Sequence, residues 1–125
     1  DCIITDHAPH TEEEKAKGLA TAPNGIIGFE TALGATITNL VIPGHIDYLD
    51  MVRVMSYNPA KVLGINKGRL DVGTVADIVL IDPNKEYEID SKTFVSKGKN
   101  TPFNGKQVKG KVMYTILGGK IVYTA

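Results

Sequence analysis

The sequence has little of several features that would place a protein in a class at once. Its single cysteine, Cys2, excludes an internal disulfide and fits a reducing, cytoplasmic compartment. We expect Cys2 to be a small buried hydrophobe in a strand rather than a reactive thiol. Fourteen basic residues balance fourteen acidic ones, so the positive charge typical of nucleic-acid binders is missing. The apolar run Ile78-Val79-Leu80-Ile81 is far shorter than the about 20 residues of a membrane span. We therefore expect neither nucleic acid nor membrane as a partner.

The start of the chain is unusual for a domain. It opens at Asp1 with no initiator methionine, and only a few residues precede a cluster of ionisable side chains. A (β/α)8 barrel needs about 250 residues, so one terminal strand with its helices could not close one. We therefore expect this sequence to be the C-terminal part of a longer polypeptide.

The most informative segment is Thr5-Asp6-His7-Ala8-Pro9-His10, which directly follows the apolar stretch Cys2-Ile3-Ile4. An apolar run of this type predicts a strand. The pattern places an ionisable cluster at the carboxyl end of that strand, where α/β barrels collect their catalytic groups. Packing alone seldom requires this combination of residues, so the segment indicates catalysis.

Residues 1–66 have the pattern of a strand, a long polar loop and helices. The loop is predicted from Asp6 to Ile27, and a helix from Phe29 to Leu40 that Pro43-Gly44 ends. Asp47 is the expected N-cap of a second helix. The predictions for the rest of this half are burial of Leu49, Val52 and Met55, a cap at Asn58-Pro59, and a third helix from Ala60 to Leu63 that ends at Gly64.

Residues 67–125 have the pattern of β-structure. One strand is predicted over Val75–Asp82 and a second over Tyr87–Ile89. The strongest hairpin signal is Gly118-Gly119 between Met113–Leu117 and Lys120–Tyr123, because glycine allows the positive φ of a two-residue turn. Between these elements we expect an exposed loop, Lys97–Lys111, with solvated lysines, that leads into a strand over Val108–Val112.

Several segments together carry a family resemblance. They are Thr5 to His10, a charged Glu-Glu-Lys stretch, Pro23 to Thr31, Asn58 to Gly64, Lys67 to Asp82, and Thr101 to Gly105 with the Gly118-Gly119 hairpin. They resemble the end of the barrel and the tail of dihydroorotases of the bacterial class I type, in the amidohydrolase superfamily. The tail pattern is common to the superfamily, whereas Asp-His-Ala-Pro-His is the specific part.

The resemblance implies an α/β fold, the C-terminal part of a metal-dependent (β/α)8 TIM barrel plus a β-sandwich composite domain. Residues 1–66 would contribute the last strand, the active-site loop and helices of the barrel, and residues 67–125 the C-terminal portion of the sandwich. The implied reaction is the reversible, metal-dependent cyclisation of N-carbamoyl-L-aspartate to (S)-dihydroorotate in de novo pyrimidine biosynthesis.

By the same resemblance, Asp6 would be both a metal ligand and the general base. A carboxylate on a divalent cation stays ionised, yet it can take a proton from the attacking hydroxide and return it to the leaving ring nitrogen. The alternative for Asp6 is a residue that only caps a helix or fixes a loop.

Substrate contacts are implied for three residues. His10 would bind the substrate carboxylate, as an imidazolium or as a neutral N–H donor, and its alternative is a loop histidine bonded to backbone. Asn24-Gly25 matches a family loop whose backbone meets the pyrimidine ring and the carboxylate, and a glycine permits such close approach. His7 has no direct role in the pattern, so we expect it to orient a neighbour by a hydrogen bond. His45 is expected to be an exposed turn residue.

The implied cofactor is a divalent metal, zinc, with two ions in the complete enzyme. The family's His-x-His pair, carboxylated lysine, further histidines, and the Arg and Asn that hold the carboxylate are all expected upstream of Asp1. With one ligand of such a site, the chain alone should be inactive.

Two alternatives remain open at this point. One is another cyclic amidohydrolase, such as allantoinase or dihydropyrimidinase (hydantoinase), against which His10 argues because their substrates lack the matching carboxylate. The other is a non-catalytic dihydroorotase-like subunit that scaffolds aspartate transcarbamoylase, against which Asp6 argues. The expected partners are the small-molecule substrate, the N-terminal part of the same enzyme, a second copy in a homo-oligomer, and aspartate transcarbamoylase as a candidate.

Overall fold

The computed structural model describes residues 1–125, with helices in the first half of the chain and a three-stranded antiparallel sheet in the second. None of the helices has the length and apolarity to cross a bilayer. The helices are α1 (Glu12–Lys15), α2 (Ala32–Thr36), α3 (Tyr48–Val52) and α4 (Asn58–Val62), with π-helical turns at Ile37–Val41 and Arg53–Tyr57 and a 3₁₀ turn at Ser91–Thr93. The strands are β1 (Ile78–Glu88), β2 (Gln107–Leu117) and β3 (Lys120–Thr124), in the order β1-β2-β3.

Helix α1 lies inside the stretch predicted to be a loop. Thr11 is its N-cap, and a capping box forms because the Thr11 hydroxyl accepts the Glu14 N–H while the Glu14 carboxylate accepts the Thr11 N–H. This reciprocal pair satisfies two donors that the first turn leaves free. A threonine followed three residues later by a glutamate, here Thr11 and Glu14, is therefore a sequence pattern that predicts this helix start.

Helix α2 begins at Ala32 rather than at the predicted Phe29, and it continues into the π turn that ends at Val41. The residues before it form a turn, in which the Ala32 N–H bonds to the Gly28 carbonyl. The predicted stop is confirmed, since Gly44 follows with φ +80°, a left-handed conformation that glycine adopts at low cost.

The predicted N-cap of α3 is confirmed, because the Asp47 carboxylate accepts the Asp50 N–H at 2.7 Å. The predicted apolar face of Leu49, Val52 and Met55 is not buried within these 125 residues. Leu49 and Val52 are 80% and 49% exposed, and Met51 is the buried residue of this helix. The side of α3 that meets the rest of this chain carries Met51, while Leu49 and Val52 lie on a face that nothing in the chain covers.

Asn58 and Pro59 do not cap a separate helix, because the chain is already helical when it enters α4. A proline has no N–H, so in the π ladder it leaves the carbonyl five residues earlier, that of Val54, without a partner. The Ile3 N–H donates to this carbonyl at 2.9 Å. Pro59 thus leaves an acceptor that holds the start of the chain against the helix. Gly64, with φ +66°, ends α4 as predicted.

The stretch Cys2–Ile4 is extended but forms no strand in this structure. A strand needs a neighbouring strand for its hydrogen bonds, and no strand of the chain lies beside it. Cys2 is only half-buried and Ile4 is 73% exposed, so the expected burial of Cys2 is wrong for this chain. The first β-type contact comes at His7, which pairs in parallel with Ile26.

The sheet contains fewer and longer strands than predicted. The two strands expected over Val75–Asp82 and Tyr87–Ile89 are one strand, β1, that bulges between Asp82 and Glu86. Asp82 stabilises the bulge, since its carboxylate accepts two backbone N–H groups. Likewise, Val108–Val112 and Met113–Leu117 are one strand, β2. The Gly118-Gly119 hairpin is confirmed, with φ of +56° and +79°, as a two-residue turn requires.

The helical half packs on the sheet through two glycines. A Cβ at Gly110, which has φ +92°, would lie 2.2 Å from the Ile37 Cδ1. A Cβ at Gly34 would lie 2.5 Å from the Tyr87 hydroxyl and 3.0 Å from the Val108 Cγ2. Because glycine has no Cβ, α2 and its π turn lie closer to the sheet than a larger residue would allow. The buried hydrophobic core consists of Ile27, Ile37, Met51, Ala60, Ile89 and Val108.

Candidate functional site

The segment Thr5–His10, called the motif segment below, is enclosed by two loops at glycine contacts. One is the Asn-Gly loop, residues 23–28, and the other is the sheet loop, residues 94–106, between the 3₁₀ turn and β2. A Cβ would collide with the motif segment at three positions: at Gly25, 2.6 Å from Ala8 Cβ; at Gly28, 2.9 Å from Thr5 Cβ; and at Gly98, 3.0 Å from Pro9 Cβ. Only glycine fits these three places without displacing the motif segment.

Asp6 has the most unusual backbone of the chain. Its φ is +44°, and it is the only residue other than glycine with a positive φ. Left-handed backbone costs an L-residue about 1–2 kcal/mol and persists where the surroundings impose it, often at functional sites. The side chain is exposed and has no hydrogen-bond partner within the chain. Asp6 is therefore strained in its backbone and free in its carboxylate.

His7 connects the motif segment to the turn before α2. Its Nδ1 accepts the N–H of Gly28 at 3.1 Å and that of Phe29 at 3.3 Å. An accepting Nδ1 leaves the proton of a neutral imidazole on Nε2. The next residue, Ala8, donates its backbone N–H to the Ile26 carbonyl at 2.9 Å. These contacts agree with the expectation that His7 orients its neighbours by hydrogen bonds.

His10 lies beside α1 at the edge of a cavity of about 290 Å³. Its Nδ1 is 3.6 Å from the Glu14 carboxylate. The Thr11 backbone N–H, together with the Thr11 hydroxyl, lowers the pKa of Glu14, and the nearby His10 adds to this effect. The cavity is lined by His10, Glu12, Lys15, Ala16, Lys99 and Asn100.

The Asn-Gly loop is held by side chains from α1 and from the sheet loop. The Lys15 ammonium donates to the carbonyls of Pro23 at 2.8 Å and Gly25 at 3.0 Å. The Asn100 amide donates to the same Gly25 carbonyl at 3.1 Å. Asn24 itself is exposed. Asn24 therefore lies between two residues, Pro23 and Gly25, whose carbonyls are held by Lys15 and Asn100.

The sheet loop is fastened to the start of α2 by Glu30. Its carboxylate accepts the Ser96 N–H at 2.9 Å and the Ser96 hydroxyl at 3.0 Å. Partial burial opposes ionisation of Glu30, but the two Ser96 hydrogen bonds outweigh it and lower the pKa. The sequence reasoning missed this pair, because nothing local connects residues that are 66 positions apart.

The lysines of the sheet loop are not all solvated, contrary to the prediction. Lys99 is half-buried and donates to the carbonyls of Phe94 and Ser96 at 2.8 and 2.9 Å. Lys109 lies in β2 and forms an ion pair with Glu86 at 2.8 Å. His45, in contrast, is an exposed turn residue as predicted.

The chain does not form a complete metal site by itself. No group of three or more His, Cys, Asp or Glu side chains is placed to hold a metal ion. The unpaired carboxylate of Asp6 fits the role of one ligand, since carboxylate oxygen binds divalent cations. A single ligand fixes neither the position nor the geometry of an ion, so further ligands would have to come from outside these 125 residues.

Comparison with known proteins shows a family whose members match nearly the whole chain. The profile of the group described as "Amidohydrolase family" matches residues 2–122. The chain belongs to the amidohydrolase family. The resemblance read from the motif segment and the tail is thereby confirmed.

Curated relatives of this amidohydrolase chain include dihydroorotases. It is 50% identical to a dihydroorotase of Clostridioides difficile (strain 630) over 125 residues, which is 100% of this chain and 29% of the relative. It is 51% identical to a dihydroorotase of Bacillus thuringiensis (strain Al Hakam) over 123 residues, 98% of this chain and 29% of the relative. The chain thus spans about 29% of the length of these relatives.

Solved structures of hydantoinases have the same fold over nearly all of this chain. The L-hydantoinase (dihydropyrimidinase) of Arthrobacter aurescens superposes with a TM-score of 0.88 at 36% identity, covering 95% of this chain and 28% of that one. The D-hydantoinase (dihydropyrimidinase) of a Thermus species gives 0.90 at 29% identity, covering 99% and 28%. The arrangement of helices and sheet described above is therefore one found in this family.

Proposed function

We propose that this amidohydrolase chain is the C-terminal part of a dihydroorotase, which cyclises N-carbamoyl-L-aspartate reversibly to (S)-dihydroorotate in pyrimidine biosynthesis. The observation that carries the proposal is the 50% identity to a dihydroorotase over all 125 residues. The activity would belong to the longer protein, because the chain spans 29% of that relative. Such an enzyme would work in the cytoplasm.

A fold is proposed to accompany this function, as the C-terminal part of a larger enzyme. Residues 1–66 would form the last strand, the active-site loop and helices of a TIM barrel, and residues 67–125 the C-terminal portion of a β-sandwich. The exposed apolar residues of α3, Leu49 and Val52, support this proposal, because an isolated domain would not leave them uncovered. The extended Cys2–Ile4 stretch would pair with a strand from the preceding part of the enzyme.

Asp6 is the proposed catalytic base. Its carboxylate would take a proton from the attacking water as the water oxygen adds to the ring carbonyl, and would return it to the departing ring nitrogen. A divalent metal, proposed to be zinc and held in part by Asp6, would supply Lewis-acid activation of the reacting groups. The exposed carboxylate and imposed backbone of Asp6 support this role.

His10, Asn24 and Gly25 are the proposed substrate contacts. The His10 imidazole would bind the substrate carboxylate, and the backbone at Asn24-Gly25 would meet the ring. All lie on the motif segment or the Asn-Gly loop, which the Ala8–Ile26 hydrogen bond joins side by side. The enzyme would act as a homo-oligomer, with aspartate transcarbamoylase as a candidate partner.

A hydantoinase (dihydropyrimidinase) is the second candidate, favoured by the superposition on hydantoinase structures. Its identity to this chain, 36% for the Arthrobacter aurescens enzyme, is lower than the 50% of the Clostridioides difficile dihydroorotase. The test is hydrolysis of dihydroorotate, hydantoin, dihydrouracil and allantoin by the purified full-length protein. We expect dihydroorotate to have the highest kcat/KM. A preference for a substrate without a carboxylate would overturn the proposal, and no turnover with a full metal complement would favour a scaffolding subunit.

A further inference from the structure

The Lys15 ammonium bonds to two backbone carbonyls, as that of Lys99 does. Lys15 forms no ion pair within the chain, and its ammonium instead donates to the carbonyls of Pro23 and Gly25. The Lys15 side chain is half-buried, whereas Lys17, two residues later, is exposed and its ammonium donates no hydrogen bond within the chain. A charged donor on a neutral acceptor is a stronger hydrogen bond than one between neutral groups. The two acceptor residues, Pro23 and Gly25, flank Asn24 in the sequence.

These two bonds set the direction of the neighbouring N–H groups. All peptide bonds of the chain are trans, and in a trans peptide the carbonyl and the following N–H point in opposite directions. With the Pro23 and Gly25 carbonyls turned toward Lys15, the N–H groups of Asn24 and Ile26 point away from it. The Ile26 N–H faces the motif segment, where Ile26 pairs in parallel with His7, whereas the Asn24 N–H donates no hydrogen bond within the chain. The carbonyls of Pro23, Gly25 and Ile26 are therefore occupied, while the Asn24 N–H between them is free.

A second side chain supports the same carbonyl. The Asn100 amide donates to the Gly25 oxygen at 3.1 Å, and the Asn100 backbone carbonyl accepts the Ile27 N–H at 2.9 Å. Asn100 belongs to the sheet loop, which is far from α1 in sequence. Side chains from α1 and from the sheet loop thus both donate to the Gly25 oxygen, and together they fix the orientation of this carbonyl.

We propose that Lys15 is a positioning residue, which holds the Asn-Gly loop with the free Asn24 N–H directed at an acceptor-rich ligand such as a carboxylate or a ring carbonyl. The inference rests on the proposed function, in which this loop contacts the substrate. Lys15 itself touches no reacting atom and acts through the Pro23 and Gly25 carbonyls. Lysine suits this place because one ammonium has three donors and can bond two carbonyls at once.

The test uses the full-length enzyme with Lys15→Met, Lys15→Arg and the matched control Lys17→Met. For Lys15→Met we expect KM for dihydroorotate to rise about tenfold to a hundredfold with kcat changed far less, because an orienting contact to bound substrate is lost. Lys15→Arg keeps a cation with several donors and should restore KM to within about threefold of wild type. Lys17→Met should match wild type. An unchanged KM in Lys15→Met would overturn the proposal, as would an equal effect in Lys17→Met.

A readout that does not need activity separates this inference from the proposed function. Amide hydrogen exchange over residues 22–27 should be faster in Lys15→Met than in wild type or Lys17→Met, and Asn100→Ala should show the same local effect if Lys15→Met fails to fold. If the wild-type enzyme does not act on dihydroorotate, the proposed function fails, but faster exchange in that segment still supports the positioning role. Unchanged exchange in both variants would overturn it.

Discussion

The imidazole of His7 lies flat against the ring of Phe29, with the centroids 3.9 Å apart and the planes inclined by 8°. The same imidazole accepts two backbone N–H groups from the turn that carries Phe29. A ring held both by its face and by its edge has little freedom to rotate. Asp6 directly precedes this fixed residue, which explains how its left-handed backbone is maintained.

Asp6→Asn should separate chemistry from folding. Asparagine tolerates left-handed backbone well, so the thermal stability should stay close to wild type. Turnover of dihydroorotate should fall by about a hundredfold to ten-thousandfold, because the amide cannot accept the proton. The measurement is kcat with metal content determined on the same sample. A variant that keeps more than about a tenth of wild-type turnover with normal metal content would contradict the role of a general base.

His10→Ala should weaken binding of dihydroorotate and of carbamoyl aspartate by about 1.5–3 kcal/mol, as expected for a lost charge-assisted hydrogen bond. Metal content should not change, because His10 is not a proposed ligand. Glu14→Gln is the control, since it alters the neighbour of His10 but leaves the imidazole. If His10→Ala bound each substrate as tightly as the wild type does, His10 would not be a substrate contact.

Gly28→Ala tests the enclosure of the motif segment. The new Cβ would lie 2.9 Å from the Thr5 Cβ and 3.2 Å from the Thr5 carbonyl oxygen, so Thr5 and the adjacent Asp6 must shift. We expect a stability loss of about 1–3 kcal/mol, as for overpacking, together with a lower kcat. Gly18→Ala is the control, because a Cβ there meets nothing within 4 Å. It should cost stability through its positive φ while leaving kcat unchanged.

Much of the fold could be predicted from local pattern. The Asp47 cap, the Gly44 and Gly64 helix ends and the Gly118-Gly119 turn were predictable because each depends on a few adjacent residues. The Thr11–Glu14 capping box belongs to the same group, although its spacing was overlooked. Strand boundaries were less predictable, since Pro83-Asn84-Lys85 has the composition of a turn but forms a bulge within β1.

The sequence predicted candidate residues for the site, whose roles stay predictions, but not their geometry. The motif segment identified Asp6 and His10, yet the left-handed backbone of Asp6 depends on contacts made from distant loops. Glu30, Lys99 and Asn100 had no local signal, because their partners lie elsewhere in the chain or in loop backbone. These 125 residues do not cover Leu49 and Val52. The sequence could not show this, because an apolar stripe predicts a buried face without showing which surface covers it.

Glu30 should make the anchoring of the sheet loop depend on pH. Its pKa is lowered in the folded chain from 4.5, so its stabilising contribution is present above that value and is lost as the pH falls through the lower folded pKa. The melting temperature of the full-length wild type should exceed that of Glu30→Gln near pH 7, and the difference should shrink progressively as the pH falls below 4.5. Ser96→Ala should reduce the difference. A difference that stays constant as the pH falls from neutral to well below 4.5 would contradict this assignment.

The isolated chain of 125 residues should show no dihydroorotase turnover, even with added zinc. Only 13 of its 125 residues are buried, so we expect weak folding or self-association, which sedimentation and circular dichroism would detect. Co-expression with the preceding part of the enzyme should restore activity by completing the metal site. Turnover by the purified chain alone would show that the other metal ligands do not come from the preceding part of the enzyme.

The hydrogen bonds that shape the candidate site join residues far apart along the chain. Gly28 to His7, Ser96 to Glu30 and Asn100 to Gly25 span 21, 66 and 75 residues. Closing such long loops costs entropy before any contact compensates it, whereas the β2–β3 hairpin closes over two residues. During refolding, the hairpin should therefore form first, and the Asn-Gly loop should reach its final geometry only after the sheet has brought the sheet loop into place.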